Sequence, residues 1–149
     1  MIEVPIIECA AGRGIRGDRY FDFKDDYKGQ LTFFSLEVFD ELCAALQVRD
    51  CSPAIARRNV ITSSADLNQL IGQDFEIQSI RFHGMEECRP CYRMNRAIAP
   101  GAHEFLKGRG GLRAKILTSG KLRSIALRSD PDPAVAGEGP RLQSLRYAK

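Results

Sequence analysis

Apolar and polar positions change their spacing several times along the chain, and each change marks an element. Ile2 to Cys9 is a short apolar run containing Pro5, which suits an edge strand at best because proline cannot donate to a sheet ladder. Gly12-Arg13-Gly14-Ile15-Arg16-Gly17-Asp18-Arg19-Tyr20 reads as a loop, its glycines allowing positive φ or a close ligand approach. Gln30–Phe34 favours extended structure. After it Leu36, Phe39, Leu42, Cys43 and Leu46 recur at helical spacing, so Ser35 caps a helix running to about Leu46, packed through Leu36, Phe39 and Leu42. Asn59–Thr62 is extended again, and Ser64–Leu70 forms a short turn or helical segment ended by Gly72. Phe75 to Phe82 alternates, which predicts one half-buried strand. Arg113–Leu117 and Lys121–Arg128 read as a hairpin around Ser119-Gly120.

Many short strands and one clear helix predict a mainly β fold, a small barrel or rolled sheet rather than a βαβ arrangement. The 149 residues, 44% apolar, suffice for one core, and no second block of composition argues for two domains. The domain is expected over residues 1–128, with a mobile tail over 129–149, where proline and glycine interrupt any pattern. No run approaches the roughly 20 apolar residues of a membrane span, and the N-terminus lacks the regions of a signal peptide. Five cysteines without a disulfide framework suit a reducing cytoplasm.

A net charge of +3 is too mild to call for nucleic acid or a membrane surface. Its distribution matters more. Residues 1–50 carry many acids, whereas Arg and Lys dominate residues 89–128, a pattern suited to a local anion site. Within the basic region lies Cys88-Arg89-Pro90-Cys91, where Arg89 and Arg93 would favour a thiolate.

Three kinds of chemistry use such a pair. Structural zinc wants four ligands, but His83 and His103 stand at no recognised spacing from the cysteines. A thioredoxin-like disulfide wants a strand, the pair and a helix in a βαβ setting, which the pattern lacks. The remaining option takes one cysteine as a soft ligand and the arginines as phosphate anchors. It draws in Ala56-Arg57-Arg58-Asn59-Val60-Ile61-Thr62 and Gly108-Arg109-Gly110-Gly111-Leu112-Arg113, and so accounts together for Cys91, Arg19, Arg57, Asn59 and Arg113.

Those segments, with Gly14–Tyr20, Gln30–Ser35 leading to Glu37, and Asp66–Gly72, occur in an order that resembles the MOSC domain, the family named for the C-terminal part of molybdenum cofactor sulfurases. The likeness covers roughly residues 12–120 and is greatest to small stand-alone bacterial members, whose fold is a β-barrel with short helices. It implies a site for molybdenum cofactor with Cys91 as the metal ligand, and Arg19, Arg57, Asn59 and Arg113 on pterin or phosphate. It further implies a reductase of N-hydroxylated small molecules served by a partner reductase. The alternative is a sulfur, cofactor or metal carrier in which the same cysteine holds a persulfide. Descriptions of the family also mention pyridoxal phosphate, for which no lysine here stands out. Relatives carry a further N-terminal strand before the Gly-Asp-Arg segment. The roughly eleven residues ahead of Gly12 therefore predict a barrel short of one strand, or one completed in a homo-oligomer.

Overall fold

Pro5 cuts the first apolar run in two. A computed structural model describes residues 2–124 and 141–147, and in it Ile2–Val4 (β1) and Ile6–Ala10 (β2) belong to different sheets. β2 runs between Gly14–Ile15 (β3) and Gly120–Arg123 (β9) in a three-stranded sheet. β1 is an edge strand of a seven-stranded sheet. Its order continues through Arg141–Tyr147 (β10), Val60–Ser63 (β5), Leu31–Ser35 (β4), Leu112–Ile116 (β8), Ile80–Glu87 (β7) and Asp74–Ile77 (β6). Only β4 and β5 are parallel; the other neighbours in this sheet are antiparallel. The protein is thus mainly β, as the pattern predicts, but its described strands form two sheets, and no closed barrel is found among them.

Strand periodicity sends adjacent β4 residues to opposite faces. Phe33 joins Val60, Phe82, Leu112 and Leu145 in the larger core, which the small sheet closes with Ile7 and Leu122. Phe34 and Ile61 face the other way and are covered by Leu36–Leu46 (α1), Arg93–Ala97 (α2) and Ala102–Leu106 (α3). Ser35 caps α1 by accepting from Val38 N at 3.2 Å, and Phe39 and Leu42 are its buried face. Each fully buried phenylalanine here contributes roughly 1.5–3 kcal/mol through apolar burial.

Three expectations are corrected. Phe75–Phe82 is not one strand but the β6–β7 hairpin, turning at Gln78 and Ser79, whose φ values are 50° and 71°. Arg113–Leu117 does not pair with the described part of Lys121–Arg128, because β8 lies between β4 and β7 whereas β9 pairs with β2. Other strands capture the connection: Leu117 N donates to Arg81 O, Arg81 N to Thr118 Oγ1, and Ala11 N to Ser119 Oγ. The tail expected over 129–149 is contradicted at Arg141–Tyr147, since β10 is an inner strand with Leu142 and Leu145 in the core. The rest of that tail, and the expected strand beyond Ser124, lie outside the described residues.

Candidate functional site

Two motif segments distant in sequence are pressed together by glycines. A Cβ on Gly110 would lie 2.4 Å from Cys88 O and 2.7 Å from Pro90 Cδ, and one on Gly111 would lie 2.3 Å from Phe33 O. Backbone cannot yield by that much, so the segment before β8 lies flat against the Cys88–Cys91 loop only because it lacks side chains there. Cys88 N donates to Gly111 O at 2.8 Å.

Arg58, only 8% exposed, locks the junction. Its Nε donates to Gly110 O (3.1 Å), Nη1 to Ala56 O (2.8 Å) and Nη2 to Cys88 O (3.2 Å). A buried arginine is thus satisfied by three carbonyl dipoles with no acid or ligand.

The site's floor is a polar row across the large sheet. Register places Glu86 opposite Arg113 and Arg113 opposite Thr32, while the parallel β4–β5 pair brings Thr32 beside Asn59. Residues opposite one another share a face. Arg113 Nη1 donates to Glu86 Oε1 and Nη2 to the Tyr27 hydroxyl, both at 3.1 Å. Asn59 Oδ1 accepts from Thr32 N and Oγ1 at 3.0 and 2.9 Å, and its Nδ2 donates to Arg146 O at 3.2 Å. The side chain of Asn59 therefore joins β4 to β10 and has little left to offer a ligand.

Above this row opens a cleft of about 590 Å³. Its walls carry Arg19, Arg57, Arg89 and Cys88, with Tyr20 and Tyr27 on the loop side and Asp18 and Glu87 as further acids. Arg57 follows the 3-10 turn Pro53–Ala56 in a left-handed conformation, φ 57°, which swings it out of the turn. Arg19 lies with its guanidinium carbon 5.0 Å from the Tyr20 ring centre. Among the described residues no carboxylate pairs with Arg19, Arg57 or Arg89, whereas Arg113 is paired to Glu86. Glu86 lies 27 residues from Arg113 in sequence, and only the β7–β8 register brings the two together.

Four of the five site residues read from sequence, Arg19, Arg57, Asn59 and Arg113, line this cleft. The fifth, Cys91, is exposed at the start of the turn into α2, and the cysteine on the cleft wall is the half-buried Cys88. Burial pushes the Cys88 thiol up, and Arg58 and Arg113, rather than Arg89 or Arg93, oppose that shift. Arg93 donates instead to Ile55 O. His83 of β7 pairs with Asp74 of β6, and the His103 ring lies tilted against Tyr92, their centres 5.0 Å apart. No group of three or more His, Cys, Asp or Glu side chains able to hold a metal is found among the described residues.

The MOSC domain model matches residues 18–124, a stretch that takes in every residue lining the cleft and all the motifs named above except the Gly14–Gly17 start of the first. The chain belongs to the MOSC domain family. Among solved structures, this MOSC domain is similar to the YUAD protein from Bacillus subtilis, with a TM-score of 0.65 and 18% identity over 80% of this chain and 81% of that one. It is also similar to a structure described as a hypothetical protein, with a TM-score of 0.60 and 14% identity over 82% of this chain and 65% of the other. At such identity these likenesses speak for the fold alone. No curated protein matches the chain. No helix among the described residues is long and apolar enough to cross a membrane.

Proposed function

We propose that the cleft binds molybdenum cofactor, with Cys91 as the metal ligand, and that the protein reduces N-hydroxylated small molecules using electrons from a partner reductase. The observation that carries this reading is the convergence of Arg19, Arg57 and Arg89, none paired to a carboxylate among the described residues, beside the Cys88–Cys91 loop. The donor set fits such a group. Guanidinium forks suit phosphate oxygens, a thiol suits a soft or high-valent metal, and about 590 Å³ lies within the usual range for ligand sites. Bound there, the cofactor would supply two-electron redox chemistry. The chain's own part is to anchor the phosphate by Arg19, Arg57 and Arg89, to hold Arg113 in place through Glu86 and Tyr27, and to present a thiol. Cys91 is the better thiol for an incoming ligand because it is exposed, whereas burial favours the protonated form of Cys88.

Metal analysis of the full chain made in a cofactor-producing host tests this directly. Cys91→Ser should lose bound molybdenum and N-hydroxylamine reduction, while Cys88→Ser keeps most of both. Molybdenum retained by Cys91→Ser ends the ligand assignment. The exposure of Cys91 outside the cleft lining also favours a second reading, a persulfide carrier. In that case the Cys91 thiolate would take the outer sulfur of a persulfide donor, whose S–S bond breaks to leave a thiol, and the added sulfur atom would be read by intact mass in protein that holds no metal.

A further inference from the structure

The polar row does not stop at Asn59. Leu145 pairs with Val60, so Arg146 stands beside Asn59, and across β1 it faces Glu3. Arg146 N donates to Asn59 O at 2.8 Å, and Arg146 O accepts from Asn59 Nδ2 at 3.2 Å. Glu86, Arg113, Thr32, Asn59, Arg146 and Glu3 thus follow one another on the same face; the first four line the cleft, and Arg146 is the next residue of the row beyond its wall.

Arg146 is 2% exposed, and its guanidinium is mostly unused. Nη2 donates to Ser144 Oγ at 2.9 Å, whereas Nε and Nη1 are buried without a hydrogen-bond partner among the described residues. Glu3 is the only acid of the described residues that acts on it, through charge rather than a hydrogen bond. Buried donors left open are costly, and a buried cation without acceptors more so. Arg58, likewise buried and on the cleft wall, has every nitrogen on a carbonyl. Arg146 is treated otherwise.

We infer that Arg146 is the far anchor of the anion site, donating Nε and Nη1 to an oxyanion of the bound ligand at the Asn59 end of the cleft. Neighbouring Cβ atoms in such a row lie about 5 Å apart, and an arginine arm exceeds that length. Its guanidinium would reach that end by exchanging its bond to Ser144 Oγ for the ligand's oxyanion. The inference rests on the reading of the cleft as a site for a phosphate-bearing ligand, and it adds a residue from the last strand that none of the recognised motifs contains.

Inorganic pyrophosphate, titrated calorimetrically into the full chain at fixed ionic strength, separates the possibilities. Wild-type protein should bind saturably. Arg146→Met should bind at least about tenfold more weakly, the usual effect of losing charged hydrogen bonds. Without ligand it should melt no lower than wild type, because an unpaired buried charge has gone. Arg146→Lys, which keeps the charge but not the fork, should fold and also bind more weakly, and it decides the matter if the methionine variant does not fold. Wild-type affinity in Arg146→Met or Arg146→Lys, alongside weakened binding in Arg57→Gln, would overturn this inference and leave the cleft reading standing. No saturable binding by wild type would overturn both.

Discussion

Arg58 directs its guanidinium to carbonyls in three segments, so its removal strips donors from all of them at once. Arg58→Met should cost about 2–4 kcal/mol in urea unfolding, with Lys restoring only part. Burial pushes the Cys9 thiol up from 9.0 to about 12. A thiol whose folded pKa is raised lends stability that is fully present below its unfolded pKa. That contribution fades as pH climbs between about 9 and 12, because the unfolded chain then holds fewer protons. Stability should fall by up to about 1.4 kcal/mol per pH unit in that window, and Cys9→Ala should remove that part of the slope. At this scale the sequence was partly readable. Arginine and glycine chemistry pointed at Arg19, Arg57 and Arg113, but which arginine is buried was not, since Arg57 and Arg58 are adjacent and only the left-handed turn at Arg57 sends Arg58 inward.

Among the elements, α1 was legible because cap and period agree over its whole length. The β6–β7 hairpin was misread for a reason visible in hindsight: Phe75 and Ile77 are odd, Ile80 and Phe82 even, so the alternation changes parity at Gln78-Ser79. The usual glycine or asparagine of such a turn is missing. Gln78 tolerates its positive φ because its amide has another task, donating to Arg123 O at 2.8 Å and accepting from Arg123 N at 2.9 Å, which joins the hairpin to β9. Ser79 has no such bond among the described residues. Ser79→Gly should therefore stabilise by about 0.5–1 kcal/mol, a rise of about 1–4 °C in melting temperature, whereas Gln78→Ala should destabilise by about 1–2 kcal/mol.

For the whole molecule, the mainly β class followed from short periods, but sheet partners did not. Alternation tells which face a residue occupies and says nothing of which strand lies beside it. Pairing β10 between β1 and β5 is decided by Leu142 and Leu145 completing the core, and the proline- and glycine-rich stretch before them masked that signal. Ending the chain after Ser124 would leave β5 and β1 without their shared neighbour. Such protein should be insoluble or lack a cooperative melting transition.

The β1–β10 pairing also sets a timetable for biosynthesis. Ile2–Val4 leaves the ribosome about 140 residues ahead of its partner Arg141–Tyr147, an interval on the order of 10 s at common translation rates. Until then β5 and β1 are open edges able to recruit foreign strands. The polar row from Glu86 to Glu3 is therefore completed only once Arg146 has been made and β10 has paired on both sides.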